Sequence, residues 1–115
     1  MNQIIKETME SYNEYIKKLI IGCETISEEL RNHEQTLLNN IMLLSEGIEW
    51  LISVNKKFFE LNIGDLIDSN EIKSFLIEIN DGLENKDYLL VADIIEYEMK
   101  PFFESLSPYE IINRQ

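Results

Sequence analysis

Residues 5–58 read IKETMESYNEYIKKLIIGCETISEELRNHEQTLLNNIMLLSEGIEWLISVNKKF, and this stretch decides the fold. Its apolar positions Ile5, Met9, Tyr12, Ile16, Leu19, Cys23, Ile26 and Leu30 recur in steps of four and three. That spacing lays one stripe along an α-helix, because residues three and four apart share a face. The stripe continues through His33 to Leu37, then resumes in a shifted phase at Ile41, Leu44, Ile48, Leu51 and Phe58. Two consecutive four-residue steps, His33 to Leu37 to Ile41, mark the point where one long helix gives way to another. The first helix is predicted over residues 2–31 and the second over 35–61, with Arg31-Asn32-His33-Glu34 as the turn. Gly22 is the weak point of the first helix, and Thr25-Ile26-Ser27-Glu28 has the form of a capping box. The stripe passes through Cys23 and Ile26 without a change of phase, so one continuous helix is expected.

Downstream, Asn62-Ile63-Gly64-Asp65 ends the second helix, with Gly64 supplying a positive φ. Leu66 and Ile67 are expected to pin the connection to the core. Asp68-Ser69-Asn70-Glu71 is an N-terminal capping signal for a third helix over residues 70–83, whose apolar face is Ile72, Phe75, Leu76, Ile79 and Leu83. A fourth helix, residues 87–106, follows the polar turn Glu84–Asp87. Its inner face is Tyr88, Val91, Ala92, Ile95, Met99, Phe102 and Leu106, widened by Leu90 and Ile94. Pro101 lacks an N–H for the Tyr97 carbonyl and should bend or interrupt this helix near Tyr97. The pattern predicts an all-α chain: an antiparallel four-helix bundle of two long and two shorter helices in one 115-residue domain.

Composition narrows function by exclusion. The chain carries 22 acidic and 10 basic side chains, a net charge of −12. Residues 1–62 hold a net −4 and residues 63–115 a net −8. Such a surface repels phosphate backbones and anionic lipids, so neither nucleic acid nor membrane is an expected partner. No apolar run approaches the ~20 residues of a membrane span, and no basic-then-apolar leader opens the chain. The one cysteine, Cys23, lies on the inner stripe, which excludes an internal disulfide and suits a buried apolar role. These features together predict a cytoplasmic protein.

No motif carries chemistry. A phosphate-binding glycine loop, a cysteine pair and a basic-aromatic surface are all missing from the sequence. His33 is the lone histidine, with Glu29 and Glu34 at offsets that do not match the Glu-x-x-His of dinuclear bundles, so no metal and no cofactor are expected. Asp93, Glu96, Tyr97 and Glu98 form the one cluster to weigh. They read either as the solvated face of an amphipathic helix or as a carboxylate pair for a small ligand, a metal or a basic partner.

The stretch NKDYLLVADIIEYEMKP, residues 85–101, with GIEWL at 47–51, resembles small acidic all-helical proteins of clostridia and related bacilli that lack an assigned activity. In size, acidity and helix content the chain is also similar to flagellar export chaperones. That likeness implies a cytoplasmic, non-catalytic role in holding an amphipathic segment of another protein. The third helix is about half the length of the first two and cannot cover their whole groove. Ile5, Met9 and Tyr12, with Trp50, Phe58 and Phe59, are the expected uncovered apolar residues. They suit a protein partner or a second copy in a homodimer.

Overall fold

The computed structural model describes residues 2–32 and 37–112, with the side chains of Leu37 and Leu38 set aside. His33 and the turn expected around it lie outside these residues. The described chain is all-helical: α1 (Gln3–Arg31), α2 (Leu37–Glu60), α3 (Ser69–Glu84), α4 (Tyr88–Asp93), a π-helical segment (Ile94–Met99) and α5 (Lys100–Glu104). It is elongated, 52 × 23 × 20 Å, with a radius of gyration of 15.5 Å. A compact globule of this length would have about 13 Å. The long axis follows from α1, whose 29 residues at ~1.5 Å each set the length.

α1 is continuous through Gly22, as its unbroken stripe requires. The Thr25 hydroxyl donates back to the Ile21 carbonyl at 3.1 Å, a mid-helix bond and not a cap. Every stripe position from Met9 to Leu30 is buried. α1 packs against α2, α4, the π segment and α5, while α3 packs against α4 and the π segment. Three ion pairs link α1 to the C-terminal helical segments: Glu24 with Lys100 at 2.8 Å, and Arg31 with Asp93 at 3.0 Å and with Glu96 at 2.6 Å.

The helix ends follow their local chemistry. Asn2 caps α1 by accepting from the Ile4 N–H, and Asp68 caps α3 by accepting from Asn70 and Glu71. α2 closes with Asn62 at φ 63°: the Ile63 N–H reaches the Phe58 carbonyl at 2.8 Å and the Asn62 N–H the Phe59 carbonyl at 3.0 Å. This double closure is the Schellman motif, and asparagine tolerates its left-handed position. Lys86, at φ 56°, takes the equivalent position after α3. Gly64 has the expected positive φ, 68°. In the connection only Ile67 is buried; Leu66 is 54% exposed, against expectation.

As expected, the α-helix is interrupted around Tyr97, here by the π segment Ile94–Met99, and the chain remains helical through it. The backbone stays right-handed helical from Asp93 through Lys100. The missing Pro101 N–H is absorbed by a wider turn, in which the Lys100 N–H bonds the Ile95 carbonyl, five residues back. A π turn takes up an extra residue. The buried position after Met99 is therefore Phe103, not the expected Phe102, which is only half-buried and sits edge-on to Phe75 and Phe103. The helix also ends earlier than expected, at Glu104. Leu90 is 47% exposed and does not widen the inner face.

Two helical glycines make opposite demands. A Cβ on Gly22 would meet nothing within 4 Å, whereas one on Gly47 would overlap the Tyr15 ring. Gly47 thus allows α1 and α2 to approach with Tyr15 between them, beside Trp50. Gly22→Ala should raise the unfolding free energy by about 0.5–1 kcal/mol in urea titration, the helix-propensity gain alone. Gly47→Ala should lower it, because Tyr15 must leave its place. Equal signs at the two sites would refute this account.

Candidate functional site

α3 packs on α4 and the π segment, and one end of the α1–α2 pair is finished by irregular chain. The connection 61–68 and the tail 105–112 cover it. Tyr109 is the anchor of that cover. Its ring stands edge-on to Tyr12, with centroids 4.6 Å apart, and to Phe58 at 4.8 Å. Its backbone is held by one side chain from α1: the Tyr109 N–H donates to Asn13 Oδ1 at 2.8 Å, and Asn13 Nδ2 donates to the Tyr109 carbonyl at 2.9 Å. Its hydroxyl accepts from Asn55 Nδ2 at 2.8 Å.

Asn55, only 3% exposed, is a polar group within the apolar face of α2. Besides Tyr109 it donates to the Asp65 carbonyl at 2.9 Å and accepts from the Ile67 N–H at 2.9 Å. One carboxamide therefore ties α2 to both the connection and the tail. Sequence reasoning missed it. The signal was present as a gap: the stripe steps seven residues from Leu51 to Phe58, and Asn55 falls between them in helical phase. Gly64 completes the setting, since a Cβ there would lie 2.8 Å from Tyr109 Cε1.

Beside this anchor lies a cleft of about 880 Å³. Ile5, Met9 and Tyr12 line it from α1, Gly64–Ile67 from the connection and Ser107–Glu110 from the tail. Among the described residues, the charged side chains that line it are Asp65 and Glu110, both acidic. The six expected uncovered residues are thus divided. Met9, Tyr12 and Phe58 are buried, at 2%, 2% and 4% exposure, with Tyr12 and Phe58 covered by the tail's aromatic ring. That is a correction to the expectation of an open stripe. Ile5 is half-buried in the cleft, while Trp50 and Phe59 are exposed and do not line it.

The carboxylate cluster is also divided. Asp93 and Glu96 both bind Arg31 from α1, and the guanidinium lies 5.9 Å from the centre of the exposed Tyr97 ring. The basic group such a pair would recruit is supplied within the chain. Asp93, Tyr97 and Glu98 are exposed and Glu96 is half-buried, so this is a largely solvated face that carries an ion pair to Arg31. Glu98 points elsewhere, into a shallow depression shared with Glu78, Asp81 and Asp87. Among the described residues no three His, Cys, Asp or Glu side chains are placed to hold a metal ion.

Burial governs the titrating groups inside. Desolvation pushes the Cys23 thiol up to about 12, so the buried sulfur is a neutral packing group and not a nucleophile at neutral pH. Desolvation also raises the phenols of Tyr12, Tyr15 and Tyr109; a hydrogen bond from Asn55 partly offsets this at Tyr109.

The helices and their closed end define an all-helical domain whose described residues include no helix long and apolar enough to cross a membrane. Residues 7–109 match the family model described as a domain of unknown function, DUF8042. The chain belongs to that family, and the matched span includes Asn13, Asn55 and Tyr109. No curated protein and no solved structure matches the chain.

Proposed function

We propose that the chain is a non-catalytic, cytoplasmic protein-interaction module, adaptor-like or export-chaperone-like, that holds an apolar segment of a partner protein at the end bounded by the connection and the tail. The carrying observation is the cleft beside Tyr109: about 880 Å³, floored by apolar side chains of α1 and bordered, among the described residues, by the acidic Asp65 and Glu110. A site of that size suits a few residues of a peptide. On this reading the helices form an antiparallel bundle. The pairing of Glu24 with Lys100 and of Arg31 with Asp93 supports it, since the order along α1 runs opposite to that along α4 and α5.

Affinity capture from the native cell at moderate salt tests the proposal. Wild type and Ile77→Lys, a change on the exposed face of α3, should retain the same dominant partner. Ile5→Lys, which puts a cation into the cleft, should lose it with its helical circular dichroism intact. Retention that ignores Ile5→Lys removes the cleft from the proposal. Recovery of the chain's own copy alone replaces the partner by a homodimer.

A further inference from the structure

The tail is held in an unusual way. Among the described residues, the only hydrogen bonds made by the main chain of residues 107–112 are the two between Tyr109 and Asn13. A carboxamide that both donates to and accepts from one residue's peptide groups imitates a neighbouring β-strand, and it reads extended main chain whatever the side chain. Specificity comes from the remainder. Asn55 meets the phenol oxygen, Tyr12 and Phe58 present ring edges, and Gly64 leaves room for the ring. These groups make a receptor for a tyrosine in an extended segment, and the chain fills it with its own Tyr109.

We propose that residues 107–112 are an internal ligand, and that the Asn13–Asn55 receptor takes an extended, tyrosine-bearing, basic segment of the partner when the tail is displaced. This rests on the interaction reading above and specifies the partner's chemistry. Anchoring through one residue allows the tail to open without unpacking the helices, so it belongs to the low-stability end of the fold. Charge favours exchange. Among the described residues the cleft's charged lining side chains are Asp65 and the tail's own Glu110. A segment with lysine or arginine after its tyrosine brings a complementary charge where the tail brings a like one.

The probe is the fluorescein-labelled hexapeptide Ser-Pro-Tyr-Lys-Ile-Ile, titrated by anisotropy against the full chain. An occupied receptor lowers apparent affinity by the fraction that is open. Tyr109→Ala should therefore bind the probe at least about tenfold more tightly than wild type. Asn13→Ala added to Tyr109→Ala should abolish binding, as should alanine for tyrosine in the probe. Glutamate for lysine in the probe should weaken it severalfold. No binding to a helical Tyr109→Ala chain overturns the proposal. Should that variant unfold, hydrogen exchange of wild type decides. The Tyr109 amide exchanging at least about a hundredfold faster than the Leu19 amide supports a tail that opens locally, and exchange of both only through global unfolding overturns it. Failure of the probe with the Ile5-dependent partner still captured discards the internal ligand alone. Loss of that capture while the probe binds discards the cleft reading alone.

Discussion

Replacing Asn55 by leucine should lower the unfolding free energy by about 3–5 kcal/mol, although leucine fits the helix and the surrounding apolar face better. The substitution leaves three groups without partners: the Ile67 N–H, the Asp65 carbonyl and the Tyr109 hydroxyl. An unsatisfied buried polar group costs roughly 1–3 kcal/mol, and the Ile67 N–H is the most enclosed of the three. The lost stability corresponds to a fall in Tm of roughly 10–20 °C for a domain of this size. Asn80→Leu, at an exposed position of α3, is the control and should change little. Thermal unfolding followed at 222 nm measures both. An Asn55→Leu chain within 0.5 kcal/mol of wild type would show that the connection and tail do not depend on this side chain.

The second large effect is alkaline unfolding. Cys23 and Tyr12 are neutral and buried, with their ionisation raised above the ordinary values mainly by desolvation. The unfolded chain releases these protons first, so the stabilisation is complete below pH 9. It is lost as pH rises through the thiol range of 9–12 and, for Tyr12, above 10. Each group contributes a slope of about 1.4 kcal/mol per pH unit, and together they remove about 4 kcal/mol by pH 11. That is comparable to the whole stability of a marginal domain. Urea titrations at pH 7, 9, 10 and 11 should give a flat midpoint up to pH 9 and a falling one beyond. In Cys23→Val the fall should begin about one unit later. A midpoint unchanged to pH 11 would contradict the burial of both groups.

Much of this architecture is legible in the sequence, because helix periodicity reports burial directly. The α1 stripe, the Asp68 cap and the face of α3 are all where the spacing puts them. Three features were not legible, each for a physical reason. The π turn depends on how the chain accommodates a proline whose effect on hydrogen bonding is local but whose effect on phase is not, so the shift from Phe102 to Phe103 could not be read from period alone. Arg31 is 62 residues from Asp93, and no spacing rule connects side chains that meet only after folding. Asn55 and Tyr109 form a site from one apparent flaw in an apolar stripe and one residue of an irregular tail. The length of α3 implies an uncovered end, but α3 packs on α4 and the π segment, and the end of the α1–α2 pair is met by the connection and the tail.

The position of α1 has a consequence for synthesis. This helix packs against α2, which emerges next, but also against α4, the π segment and α5, which leave the ribosome later. At about 5–20 residues per second, roughly 3–11 s separate the appearance of Arg31 from that of Tyr88. Throughout that interval the side of the first helix that these segments cover is without them, and Cys23, which in the folded chain lies near Lys100 and Glu104, is expected to be accessible to solvent. The single thiol is therefore a clock for assembly. It should react with a maleimide on stalled nascent chains that end before residue 88 and become protected once α5 has been released.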